Sequence, residues 1–127
     1  MCSAAKGRFR EMNIRIVQML RILGIPAHVK GYEYIKTAIM LMYDDDSYRY
    51  NITKRLYPKI AKIYGTTPAR VERAMRHAIE IAFTSGNIEL LYKIFGYTIA
   101  YHRSKATNSQ FIITILETLT LSDLRFS

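Results

Sequence analysis

The stretch IAKIYGTTPARVERAMRHA, residues 60–78, decides how the rest of the chain is read. Two short apolar-faced segments flank a tight GTTP break, and the second carries arginines away from its apolar side. Thr67 followed by Pro68 has the form of a helix cap and a first-turn proline, whose missing N–H has no intrahelical partner to lose. A helix is therefore predicted over 68–85, stopped at Gly86. Before the break, Pro58 opens barely two turns that end at Gly65. A helix-turn-helix requires a small residue where the helices cross, a turn residue able to adopt positive φ, and an apolar anchor in the second helix. Ala61, Gly65 and Val71 supply these types in order, with Ile60 and Ala74 behind them, and the unit spans about 58–85.

At about 100° per residue, Val71, Ala74, Met75, Ala78, Ile81 and Ala82 share one face of the second helix. The opposite face presents Ala69, Glu72, Arg73, Arg76 and Glu80, with Arg70 and His77 on its flanks. An arginine fork can donate two hydrogen bonds to guanine O6 and N7, a glutamate can accept from the cytosine amino group, and neighbouring cations such as Lys59 and Lys62 can take phosphates. The competing reading is a solvated helix face with Glu72 and Arg76 paired at i, i+4.

The surrounding composition favours the first reading. A net charge of +9 on 127 residues suits a polyanionic partner. Residues 1–30 and 51–82 each carry a net +5, whereas 31–50 carry −2 and the remainder +1. Half of the residues are hydrophobic and no segment is rich in Pro, Ser or Gln, so one folded domain is expected. No apolar run reaches the roughly 18–20 residues of a membrane span, and the charged start MCSAAKGRFREMNIR lacks the apolar block of a signal peptide. The expected location is the cytoplasm, with no membrane partner. The single cysteine, Cys2, has no partner for a disulfide or a thiolate metal site.

The remaining segments read as helices. Asn13 can cap a helix with apolar Ile14, Val17, Met19, Leu20 and Leu23, ended by Gly24 and Pro26, which leaves 1–12 as an N-terminal extension and 13–127 as the domain. A second helix is predicted over 31–43. Asp44 to Asp46 read as a loop or a cap, and they fail as a calcium loop because Arg49 and Arg55 stand where Gly and Glu are required. A short helical piece over 51–57 leads to Pro58. NIELLYKIF, 87–95, is a short helix ended by Gly96, YTIAYHR alternates loosely as an extended segment, and TNSQ, 107–110, is a capping box opening a last helix to about Thr120. The fold class is all-α, about six helices containing a helix-turn-helix, of the winged-helix or helix-turn-helix effector kind.

Five blocks in order, GIPAHVKGY, TKRLYP and IAK on either side of Lys59, TPARVERAMRHAIEIA, SGNIELLYKIFGYT and TNSQFI, resemble the C-terminal effector domain of stage-zero sporulation protein A, the response-regulator family that starts endospore formation in Firmicutes. The likeness runs from about Asn13 to Leu121. It implies a six-helix transcription factor domain that binds boxes of the TGTCGAA type, often in tandem, with the 68–85 helix in the major groove. It places Arg70, Glu72 and Arg73 where bases are read, and Arg76 and His77 near the DNA backbone or groove edge, where Lys59, Lys62 and Thr67 are also expected. It further implies a contact between the RNA polymerase sigma factor and the region 87–97, through Asn87, Glu89, Lys93 and Phe95, and a homodimer or tandem arrangement on DNA. The chain departs from the family pattern at IAFTSGN, where Ser85 replaces a basic residue, in YHRSKATN, and in the terminal ETLTLSDLRFS. Nothing in the 127 residues resembles the family's phosphoacceptor receiver domain, and Met1 with a start unlike a hinge favours a stand-alone paralogue over an excised domain.

Other functions compete less well. His28, His77 and His102 lie on three segments without metal-binding spacing, and no phosphate loop or nucleophile elbow occurs, so neither an enzyme nor a cofactor is expected. Ten tyrosines raise base stacking on single strands, yet Tyr34, Tyr43, Tyr57 and Tyr64 fall on or beside apolar stripes. The alternative retained is a diverged adaptor that binds polymerase or another regulator without specific DNA binding.

Overall fold

The computed structural model describes the backbone of residues 2–102 and 106–126 and the side chains of residues 6–96 and 106–121. Among the described residues six α-helices follow one another: α1 (Cys2–Leu23), α2 (Lys30–Asp44), α3 (Tyr57–Tyr64), α4 (Pro68–Ser85), α5 (Ile88–His102) and α6 (Asn108–Phe126). A 3₁₀ turn (Asp46–Tyr50) and a π-helical turn (Ile52–Leu56) join α2 to α3. No strand occurs among the described residues, and the all-α reading holds.

The core is built around α2, which packs against α4, α1 and α6. Ile35, Ala38, Ile39 and Met42 of α2 are fully buried, as are Ile16, Leu20 and Leu23 of α1, Met75 and Ile79 of α4, and Phe111 and Ile115 of α6. The closest approach is at Gly31. A Cβ there would lie 2.1 Å from the Ala74 carbonyl oxygen and 2.7 Å from the Ala78 Cβ, so hydrogen alone lets the α2 backbone rest on α4.

Three local expectations are corrected. The first helix begins at Cys2, not Asn13, because the apolar stripe continues upstream: Met12 is buried and the Phe9 ring meets Tyr43 edge-on at 5.6 Å. Gly96 does not end α5, which runs on through His102, so that residues 97–102 of the segment read as extended are helical, Arg103 lying outside the described residues. Positive φ is confined to Gly24 and Gly65 among the described glycines, and a Cβ at Gly96 would meet the Tyr92 ring at an ordinary 3.7 Å, so nothing forces a stop there. The last helix extends past Thr120 to Phe126.

Other local readings match the structure. The Asp44 to Asp46 run ends α2 and starts the 3₁₀ turn, where the Asp45 carboxylate accepts from the Ser47 amide at 3.0 Å and hydroxyl at 2.6 Å. These two hydrogen bonds hold the Asp45 carboxyl below the ordinary aspartate range. In the TNSQ box the Gln110 amide donates to Thr107 Oγ1 at 3.2 Å while the Thr107 amide donates to Gln110 Oε1 at 2.9 Å. Tyr34 and Tyr57 are buried, Tyr43 is half-buried, and Tyr64 is edge-on to Tyr34 at 5.2 Å, so these four rings serve packing rather than a stacking platform.

Candidate nucleic-acid interface

The interface is assembled by α3, α4 and the turn between them. α3 packs against α4, with Ile60 and Ala61 of α3 and Val71, Met75 and Ala78 of α4 all buried. Gly65 ends α3 in the left-handed conformation, φ 66 and ψ 42, and the Thr66 amide returns to the Ala61 carbonyl at 2.9 Å. Thr67 is extended, and its Oγ1 accepts from the Arg70 amide at 3.3 Å, which starts α4. No atom lies within 4 Å of a Cβ built at Gly65, so the demand for glycine there is conformational alone. A Gly65→Val variant is expected to lose at least about 1–2 kcal/mol of stability, while Gly65→Asn, whose side chain tolerates left-handed backbone, should lose much less. Equal thermal stability of the valine variant and the parent would show that the turn is not what joins the helices.

The outer face of α4 is open. Arg70, Arg73, Arg76 and His77 are exposed, with Glu72 half-buried. Glu72 and Arg76 form the i, i+4 pair at 2.8 Å that a solvated helix face also predicts. Arg70 and Arg73 differ: among the described residues neither guanidinium has a protein partner, so both are free to meet a ligand. Lys59 and Lys62 stand exposed on the preceding helix, and Thr67 is exposed at the cap. The buried arc is rotated relative to the expected face: Ile79 is fully buried and Ile81 only half-buried, because α4 is covered by α2 and α3 and also by α5 and α6.

A feature that sequence reasoning missed fixes the Glu72 side of the helix. Asn108, at the start of α6, is the one buried polar side chain among the described residues, and its amide donates to the Glu72 carbonyl at 3.0 Å and to the Tyr57 hydroxyl at 3.2 Å. It thus ties α6 to α3 and α4 at one point. Burial pushes the Tyr57 hydroxyl above its ordinary range, opposed by the Asn108 bond. A groove of about 390 Å³ opens here, lined by Tyr57, Glu72, Arg76 and the segment 106–109. The capping box was the only available signal, since sequence does not reveal an amide reaching back 36 residues.

The start of α5 forms a separate surface. Asn87 Oδ1 accepts from the Leu90 amide at 3.0 Å and so serves as the helix cap, while Glu89 and Lys93 are exposed. Phe95 points inward. It stacks on Phe111 at 5.2 Å with the rings 8° apart, and it supports this surface from beneath while Tyr92 and Ile88 lie on it. No group of three or more metal-ligating side chains is found among the described residues, His28 and His77 are exposed, and the His102 and Cys2 side chains lie outside the described residues. No helix among the described residues is long and apolar enough to cross a membrane.

An all-α domain with a capped helix-turn-helix and a cationic outer face on its second helix has the architecture of a DNA-binding regulatory domain. The comparison with known families agrees: residues 16–119 match the family described as sporulation initiation factor Spo0A C terminal, and the chain belongs to that family. It is a family of DNA-binding domains that regulate transcription in sporulation, not an enzyme class.

Proposed function

We propose that the chain is a sequence-specific regulator of the sporulation-initiation type, with α4 entering the major groove of a TGTCGAA-like box. The observation that carries this reading is the pair of partnerless guanidinium groups, Arg70 and Arg73, on the exposed side of a helix whose opposite side is buried against α2 and α3. Arg73 and Glu72 read bases, assisted by Arg70. Lys59, Lys62, Thr67, Arg76 and His77 meet the backbone or groove edge, and the Arg76 guanidinium, 2.8 Å from Glu72, also orients the carboxylate that accepts from cytosine. Asn87, Glu89 and Lys93 offer a surface for the polymerase sigma factor, and tandem boxes bring two copies side by side.

The test is an Arg73→Ala variant measured against the box and against single-base variants of it. The expected loss is about 1–3 kcal/mol on the box, with discrimination relaxed at one base pair. A loss of the same size on every duplex would place Arg73 on phosphate and remove it from base reading. The adaptor reading makes a different demand, that polymerase binding persist without any preference for the box.

A further inference from the structure

We propose that Lys30 forms a second phosphate-binding edge for duplex DNA, alongside α4 and separate from the cations of α3 and α4. The inference rests on the reading of α4 as the helix that enters the groove. Its geometry comes from Gly31, whose backbone is seated on Ala74 and Ala78. At about 100° per residue, Ala74 lies on the edge of α4 that carries Arg70 and His77, while Glu72 lies on the other edge, where Asn108 holds it. The start of α2 therefore runs beside the Arg70 and His77 edge.

Position along α2 carries the argument to the side chain. Lys30 shares a helix face with Tyr34 and Thr37, four and seven residues on. Tyr34 packs its ring against Tyr64, and Thr37 is hydrogen-bonded to the Tyr64 hydroxyl, at the end of α3 beside the helix-turn-helix turn. Lys30 thus stands on the face directed to the helix-turn-helix. Lys30 is exposed, and among the described residues its side chain has no hydrogen-bond or ion-pair partner. Lys36 on the same helix behaves otherwise: its ammonium is 3.2 Å from Glu33 and lies over the Tyr32 ring. An ammonium on this edge donates to phosphodiester oxygens without reading a base, so it adds affinity and register without sequence preference.

The experiment measures binding of the 127-residue chain and its Lys30→Ala, Lys30→Gln and Lys36→Ala variants to box and scrambled duplexes over a salt series. Loss of one phosphate contact lowers the slope of log affinity against log salt by about 0.9, so the advantage of the parent over Lys30→Ala should shrink about threefold between about 50 and about 200 mM salt. The fall should be the same on both duplexes and in both Lys30 variants, while Lys36→Ala keeps the parental slope. An unchanged slope in the Lys30 variants, or an equal change in Lys36→Ala, overturns the proposal. Failure of the α4 reading is seen separately, as a parent chain that does not distinguish the box from the scramble, because the slope is read on the scrambled duplex as well.

Discussion

Phe111→Ala is expected to destabilise the chain by about 3–5 kcal/mol, the cost of emptying a site that cannot collapse around the loss. Phe111 is fully buried and lies flat against Phe95, which in turn meets Phe83 of α4 at 5.8 Å. The three rings connect α6, α5 and α4, so the substitution removes both the buried area and a stacked pair, the latter contributing about 0.5–1.5 kcal/mol of its own. Urea unfolding of the variant reads the effect directly. DNA binding, measured at low temperature where the variant remains folded, should be close to that of the parent, because no ring touches the outer face of α4. A loss below about 1 kcal/mol would mean that α5 and α6 are not packed as described.

Gly31→Val is the second large effect, and it acts on stability and binding together. The first atom of any side chain at this position would fall 2.1 Å from a backbone oxygen of α4, and backbone cannot step aside as a flexible side chain can. Relief requires α2 and α4 to separate. Overpacking of this kind costs about 1–3 kcal/mol, occasionally more, and the backbone partner argues for at least the upper end of that range. Because α2 sets the position of α4, the folded fraction of the variant should also bind the box more weakly relative to scrambled DNA. Gly31→Ala makes the same contact with less bulk and should show a smaller loss of both. Full stability in Gly31→Val would refute the close packing of α2 on α4 and, with it, the placement of Lys30.

Much of this was readable from local chemistry. The start of α4 at Thr67 and Pro68, the turn at Gly65 and the box at Thr107 to Gln110 each depend on hydrogen bonds and backbone angles within four residues, so the sequence contains the whole cause. What was misread depends on partners distant in the chain. The helix before Asn13 is held by Phe9 against Tyr43 and by burial of Met12, and Gly96 stays helical because nothing local compels a break. Asn108 reads as a capping-box residue, and only the fold shows its amide bonded to both Tyr57 and Glu72. The residues of the candidate site were visible as types on one helix face, and the i, i+4 spacing already offered the Glu72 and Arg76 pair, but only the fold shows that Arg70 and Arg73 have no protein partner among the described residues.

That distinction bears on the central claim, that α4 reads sequence. The most direct measurement is the affinity of the purified 127-residue chain for a duplex with one TGTCGAA-type box, beside a scrambled duplex and a single strand, at two salt concentrations. Specific recognition predicts tighter binding to the box by about a thousandfold or more, with the ratio retained as salt rises and absolute affinity falls. Equal and steeply salt-dependent binding to all three would contradict it, leaving a basic surface whose arginines serve only to attract phosphate.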